Sequence, residues 1–471
     1  MDNQRKVVKN SVFLFLPSLT RIIVGLFITV LVARELGEEN YGIYMFLVST
    51  VGLMMVFSDL GLNDYFIKET AREKSFHKKY FWTIFIAKTG LSVIVFGLIL
   101  LFLQVTGKGD IIRFAIPVAF FLLLNQLSSF FMSIMRGHED MKYESIIDSA
   151  DKILFSIITF YFITIGLLDL STYIIINLVN YIAISGLRFA ITSAKDMIPK
   201  FSLHIRQIPK LIKTSKAFAA NWLFSSLYHQ VDVLAIGLML SNSAVGIYSV
   251  GFKLLEYLTM IPDAYRKGSN PTFHRLFKED KKELRKLIST SSVFFNFIAI
   301  PIIAYTLIYA GNIMDFLFPE SFMESRIIMQ IIIFALFFIF IRANLSNLIL
   351  SSKKPEHLGY ILLGTTALNL ILDIILISFF GIIGAAIATL SMEIFFVGML
   401  LIYAKKFKIK LNFFKKIHLF ILYTGISLTT RLFIPNWFIA FASGGIIYLL
   451  LCLATRTISL KSMIRTINPR R

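Results

Sequence analysis

Charged side chains inside long apolar runs are the residues of this sequence best placed to do chemistry. A charge at bilayer depth is disfavoured by roughly 2.5–3.5 kcal/mol on insertion scales, so such a residue faces a cavity or a partner. Arg21, between Thr20 and Ile22, has no acidic residue at helical spacing, and neither Lys88 nor Arg342 has one three or four residues away. A guanidinium presents a fork of donors that fits phosphate bidentately. These three cations are therefore candidate contacts for an anionic guest, the alternative being a pair with an acid on another helix. Lys88 also lies near the cytoplasmic end of its run, where an ammonium can snorkel. Lys253 is counted with them, although Glu256 stands one turn away and can neutralise it, as Asp148 and Lys152 can neutralise each other. His229 and Asp232 lie three residues apart on one helical face. Imidazole beside carboxylate titrates near neutral pH, which suits proton coupling; an interhelical hydrogen bond is the alternative. Glu256 is a further protonatable candidate. Asp59 and Asp263 end their runs on the cytoplasmic side, as gating or coupling groups or as caps for basic loops. Asp373 and Glu393 carry no assigned role.

The elements that must hold these residues follow from composition. The 471 residues are 56% hydrophobic and 16% charged, with mean hydropathy +0.74, whereas soluble domains are about a quarter charged. The sequence predicts an all-α polytopic membrane protein with no sizeable soluble domain. Apolar runs occur at about 11–31, 42–60, 81–103, 113–135, 145–168, 172–190, 216–240, 244–262, 289–310, 326–350, 358–379, 382–403, 417–432 and 437–455, giving about fourteen expected spans. The first follows Arg5, Lys6 and Lys9 as a signal peptide would, but it is long and carries Pro17 and Arg21, so it reads as a retained span.

The net charge of +20 is not gathered into one groove, which argues against a nucleic-acid partner. Of the 48 Lys and Arg, 38 fall in alternate connectors and termini on one side, five on the other side and five inside spans. By the positive-inside rule both termini are cytoplasmic, in a multi-pass protein of the cell (inner) membrane. The largest inside connector, 264–290, contains a stretch from Lys278 to Leu287 that can lie as a short amphipathic helix on the anionic inner surface. The outside connectors are too short for an extracytoplasmic catalytic domain. Cys452 is the single cysteine, so neither an intrachain disulfide nor a cysteine metal site forms. No phosphate-binding loop with Lys-Ser/Thr and no His-Glu-x-x-His pattern occurs. The expectation is a non-enzyme without cofactor or metal, driven by an ion gradient, the membrane potential or downhill consumption of what it moves.

An internal repeat organises the spans. Gly42-Ile43-Tyr44 recurs as Gly246-Ile247-Tyr248 at an offset of 204, and the same offset takes Asp59 onto Asp263. It maps the first span onto the seventh and preserves orientation, so the halves are expected as parallel repeats with a cavity between them. Residues 1–200 form the N-terminal lobe (spans 1–6), 201–405 the C-terminal lobe (spans 7–12), and 406–471 two additional spans with a cytoplasmic tail.

Several segments carry a resemblance: Ala33-Arg34-Glu35-Leu36-Gly37 with Tyr41-Gly42-Ile43-Tyr44; Phe57-Ser58-Asp59-Leu60-Gly61-Leu62; Met135-Arg136-Gly137-His138-Glu139; Val231-Asp232-Val233-Leu234-Ala235-Ile236-Gly237; and Leu368-Asn369-Leu370-Ile371-Leu372-Asp373 before Gly381-Ile382-Ile383-Gly384-Ala385. Through about residue 404 the chain resembles the polysaccharide or lipid-linked oligosaccharide flippases (Wzx-type) of the multidrug/oligosaccharidyl-lipid/polysaccharide exporter superfamily. None of these motifs is catalytic. Gly381, Gly384, Ala385 and Ala388 suit close helix packing, and Gly37 and Gly42 frame an external turn. The resemblance implies two lobes working by alternating access, and export of a polyprenyl-linked glycan to the outer leaflet. Its implied partners are the lipid-linked glycan, membrane lipids, and a polymerase or glycosyltransferases of the same pathway. A cation-coupled efflux antiporter of the same superfamily is the competing reading, and would want an acidic cavity. A membrane-embedded glycan polymerase or ligase is a third, and lacks the long outside loop it would need.

Overall fold

The structure, a computed structural model, describes residues 24–140, 142–409, 411–455 and 457. Among them the regular structure is helical, without a strand. Hydrocarbon dictates this: no water is present to satisfy an open N–H or C=O, and a helix satisfies its own. Nine helices among the described residues are long and apolar enough to cross a bilayer. The first, α1 (Val24–Asp59), turns a corner at Gly37, whose φ of 71° and ψ of 173° lie where a Cβ would clash. Another, α12 (Glu356–Ala404), turns at Gly381 with φ 58°. There the chain folds back so tightly that a Cβ on Gly384 would strike the Leu376 carbonyl. The two helices thus take up the expected pairs of runs at 42–60 with the end of 11–31, and at 358–379 with 382–403.

Among the described residues the chain divides into two compact units, one comprising residues 24–249 and the other residue 250 onward. In the first, α1 is followed by α2 (Leu62–Arg72), α3 (Ser75–Val105), α4 (Ile112–Gly137), α5 (Lys142–Thr164), α6 (Leu170–Ala194) and α7 (Ile208–Met239). Its core is aromatic. Phe66 lies 4.8 Å from Phe130, and Phe81 stacks on Phe130 at 5.2 Å, tying α2, α3 and α4 together. Rings bury large areas without a polar atom to satisfy, and offset contacts add about 0.5–1.5 kcal/mol per pair. α4 packs along α6, where Phe121 stacks on Tyr181 at 5.2 Å.

The two copies of the repeat motif meet in this unit. A Cβ on Gly42 would overlap the Asn242 carbonyl, and one on Gly246 would overlap the Glu38 carbonyl. The glycines that mark the internal repeat therefore exist to let backbone approach backbone. Gly37 makes the corner, while Gly42 is helical and serves this contact.

The second unit takes α8 (Asn242–Glu279) from Val250 onward, then α9 (Lys281–Leu317), α10 (Ser325–Ile332), α11 (Ala335–Leu350), α12, α13 (Ile417–Leu428), α14 (Thr430–Phe433) and α15 (Trp437–Ala454). Asn344 of α11 accepts from the Tyr265 hydroxyl of α8 and from Ser291 of α9, each at 2.9 Å. One buried amide thereby fixes three helices. The last helices dock on α9 through hydroxyls: Tyr305 donates to Ser427 at 3.0 Å, and Tyr448 donates to the Phe297 carbonyl at 2.9 Å. Phe420, Tyr423, Tyr448 and Cys452 close an apolar cluster around that contact.

Candidate functional site

Polar chemistry in the first unit gathers where the C-terminal end of α1 meets α3 and α4. Asp59, the last residue of α1, is fixed there because Leu60 and Gly61 both take positive φ and end the helix. Lys88 Nζ donates to Asp59 Oδ1, with the side chains 1% and 4% exposed, and the ammonium also lies 5.1 Å from the Phe130 ring centroid. The sequence gives Lys88 no acid on its own helix, and the fold supplies one from 29 residues away. A pair this dry gains little net stability against two apolar residues, yet loses about 3–5 kcal/mol when one partner is removed.

A second polar chain crosses α4, α5 and α6. Arg188, 8% exposed, donates through Nη1 to Asn125 Oδ1 at 2.7 Å and Ser128 Oγ at 3.1 Å, and its Nη2 lies 3.3 Å from Asp148 Oδ1. Next to it, Asn180 donates to Asp151 at 2.6 Å, and Lys152 pairs with Asp151 at 3.4 Å. The expected Asp148–Lys152 pairing is replaced by Asp148–Arg188 and Asp151–Lys152. Sequence reasoning passed over Arg188 because the residue, near the end of the 172–190 run, is counted with the basic connector that follows. In the structure α6 continues to Ala194, more than a turn further. The burial of Ile184 and Thr192, one turn to either side of Arg188, is the periodic signal that could have found it.

Asp232, 8% exposed on α7, accepts from the Tyr248 hydroxyl at 2.6 Å. Tyr248 belongs to the repeated Gly-Ile-Tyr, so the motif holds this carboxylate directly. His229 is exposed and stands edge-on to Tyr228 at 4.8 Å.

In the second unit, Arg342 Nη1 lies 3.4 Å from Glu393 Oε1, and its guanidinium sits 5.1 Å from the Phe396 ring. Glu393 is 1% exposed. The fold-back at Gly381 sets the register: Asp373 and Thr389 are eight residues to either side, and Asn369 and Glu393 twelve. All four are buried, and Asn369 donates to Asp373 Oδ2 at 3.1 Å. The two acids left without a role by the sequence thus belong to one buried polar layer of the α12 hairpin, with Arg342 beside it. Lys253 pairs with Glu256 at 2.8 Å along α8, as their spacing suggests, and Asp263 pairs with Arg266 at 3.5 Å with its side chain half exposed. The repeat-related acids Asp59 and Asp263 consequently differ, one sealed in and one open. The Arg21 side chain lies outside the described residues.

Embedded ion pairs, and multiple apolar helices bent at glycine corners, define a multi-pass helical membrane protein. The fold is that of a lipid II flippase, MurJ in an inward closed conformation, with a TM-score of 0.75 at 17% identity over 95% of this chain and 99% of that one. A multidrug resistance MATE transporter of the MOP superfamily in an inward-facing conformation also matches, with a TM-score of 0.59 at 12% identity over 83% and 95%. Residues 7–277 match the family described as polysaccharide biosynthesis protein, and residues 218–375 match the family described as MatE. The first match spans more than half of the sequence: the chain belongs to the polysaccharide biosynthesis protein family. A Haloferax volcanii relative, named as probable low-salt glycan biosynthesis flippase Agl15, is 23% identical over 76% of this chain and 75% of its own length.

Proposed function

We propose that the chain moves a polyprenyl-phosphate- or polyprenyl-pyrophosphate-linked oligosaccharide from the cytoplasmic to the outer leaflet by alternating access, for cell-surface glycan assembly. The observation that carries this reading is the polysaccharide biosynthesis family match over residues 7–277. Cations at bilayer depth supply the chemistry: Arg21, Lys88, Lys253 and Arg342 are the proposed contacts for the lipid phosphates, with Arg188 added from its buried position. Lys88, Arg342 and Lys253 each hold a carboxylate in this structure. Phosphate capture by any of them is therefore an exchange of one anion for another, which links guest binding to rearrangement of helix contacts. Asp59, His229, Asp232, Glu256 and Asp263 are the proposed coupling or gating groups. About fourteen spans, in lobes 1–200 and 201–405 with an appendage at 406–471, and both termini in the cytoplasm complete the arrangement. The pathway's glycosyltransferases and polymerase are the proposed partners.

The MatE match over 218–375 favours a second reading, cation-coupled export of small molecules. Arg21→Ala separates the two. In cells whose surface glycan depends on this protein, the variant should be expressed normally and lose glycan display. Normal display would remove the phosphate-contact role. Drug sensitivity of the deletion strain with intact surface glycan would favour the exporter reading.

A further inference from the structure

The connector from α6 to α7 is built as a strap with two unlike faces. Residues 199–204 form neither helix nor strand, and from Phe201 to Ile205 the exposure alternates residue by residue. Phe201, Leu203 and Ile205 are 67%, 38% and 61% exposed, whereas Ser202 and His204 turn toward α3. Ser202 Oγ donates to the Lys79 carbonyl at 3.2 Å, and the His204 backbone N–H donates to Thr83 Oγ1 at 3.0 Å. Trp82 completes the anchorage, its indole N–H donating to the Pro199 carbonyl at 2.8 Å while its ring lies 5.6 Å from Phe201. Met197 and Ile198 pack onto the aromatic core behind. The chain thus invests hydrogen bonds in holding a row of apolar side chains outward.

Charge gives the row its context. No acidic residue occurs between Asp196 and Asp232, and Lys200, Arg206, Lys210 and Lys213 are exposed along the strap and the start of α7, beside exposed Lys78 and Lys79 of α3. Non-helical backbone cannot face lipid at hydrocarbon depth. A row of exposed Phe, Leu and Ile is equally misplaced in bulk water. The headgroup region satisfies both requirements, and an indole anchored at that level fits it. Six cations without an acid among them select an anionic surface.

We propose that residues 199–213 bind the anionic phospholipids of the cytoplasmic leaflet, with Phe201, Leu203 and Ile205 entering among the acyl chains and the flanking Lys and Arg taking the lipid phosphates. Because the strap is tied to the first turns of α3 and runs into α7, its lipid contact sets the depth of both helix ends. The inference is independent of the cargo.

The test reads depth, not transport. Full-length protein carrying Cys452→Ser and Leu203→Cys is labelled with an environment-sensitive fluorophore and reconstituted into phosphatidylcholine vesicles with or without phosphatidylglycerol, with iodide on both sides of the bilayer. A Lys353→Cys label in a cytoplasmic connector serves as the aqueous control. With phosphatidylglycerol present, the label at position 203 should be shielded from iodide and quenched by lipid-attached nitroxide. Combining Arg206→Gln, Lys210→Gln and Lys213→Gln should weaken phosphatidylglycerol retention by about ten- to a hundred-fold at low salt. Iodide quenching equal to the control in both vesicle types would overturn the proposal. So would shielding that is identical in pure phosphatidylcholine and unaffected by the triple change.

Discussion

At the scale of single residues, the most deeply buried charge pairs take their partners from different helices. Lys88 reaches Asp59 across 29 positions, and Arg342 reaches Glu393 on another helix. Sequence could show that these cations lack an acid on their own helix face. It could not show which distant acid meets them, because pairing across helices leaves no periodicity to read. The pairs Lys253–Glu256 and Asp263–Arg266 were legible or readily placed, since their spacing is that of one helical turn. The Lys88–Asp59 pair yields a sharp prediction. Lys88→Met alone leaves a carboxylate sealed without a counter-charge and should cost about 3–5 kcal/mol, whereas Lys88→Met with Asp59→Asn should restore most of it. Thermal unfolding of the purified variants in detergent checks this, and equal loss in the single and double variants would show that the pair is not the source. If Lys88 also exchanges its carboxylate for lipid phosphate, the double variant will be stable and still fail to display glycan.

At the scale of elements, glycine marks where helices turn or touch. Most of the helical segments could be read from hydropathy, because hydrocarbon forbids any backbone that does not satisfy itself. The corner at Gly37 was also visible, at the point where an apolar run breaks into Glu38-Glu39-Asn40. What hydropathy could not show is that Gly42 and Gly246, found as a repeat, pack against each other's motif. A repeat in sequence says that two segments are alike, and nothing about their being neighbours. Docking of α13 and α15 on α9 was equally hidden, since it rests on Tyr305–Ser427 and Tyr448–Phe297 hydrogen bonds between helices that all read as apolar. Replacing Gly42 with Ala drives a methyl into the Asn242 carbonyl, and Gly246→Ala does the same at Glu38. Each should lower stability by about 1–3 kcal/mol through overpacking. Gly90→Ala, where a Cβ meets nothing, should leave it unchanged. Unfolding midpoints of the three variants measured side by side decide the matter: no difference between Gly42→Ala and Gly90→Ala would mean that the close approach carries no load.

At the scale of the whole molecule, the distribution of charge predicts how the chain sits in its membrane. The excess of Lys and Arg is spread over alternate expected connectors, so each expected span favours the same orientation and no single loop determines it. The proposed lipid contact of the strap and the proposed phosphate contacts of the embedded cations would both draw on this excess of positive charge, once for bulk lipid and once for cargo. Orientation can be tested without reference to transport. Cys452 is the only cysteine and is buried, so a Cys452→Ser background is silent toward a membrane-impermeant maleimide. Asp110→Cys, in the connector between α3 and α4, should react in intact cells. Lys353→Cys, in the connector between α11 and α12, should react only after permeabilisation. Both positions are exposed, so neither substitution threatens the fold, and labelling depends on the side alone. The pair is diagnostic because seven expected spans separate the two sites. A missed or surplus span between them would place both cysteines in one compartment, and with it half of the basic connectors on the side the positive-inside rule disfavours.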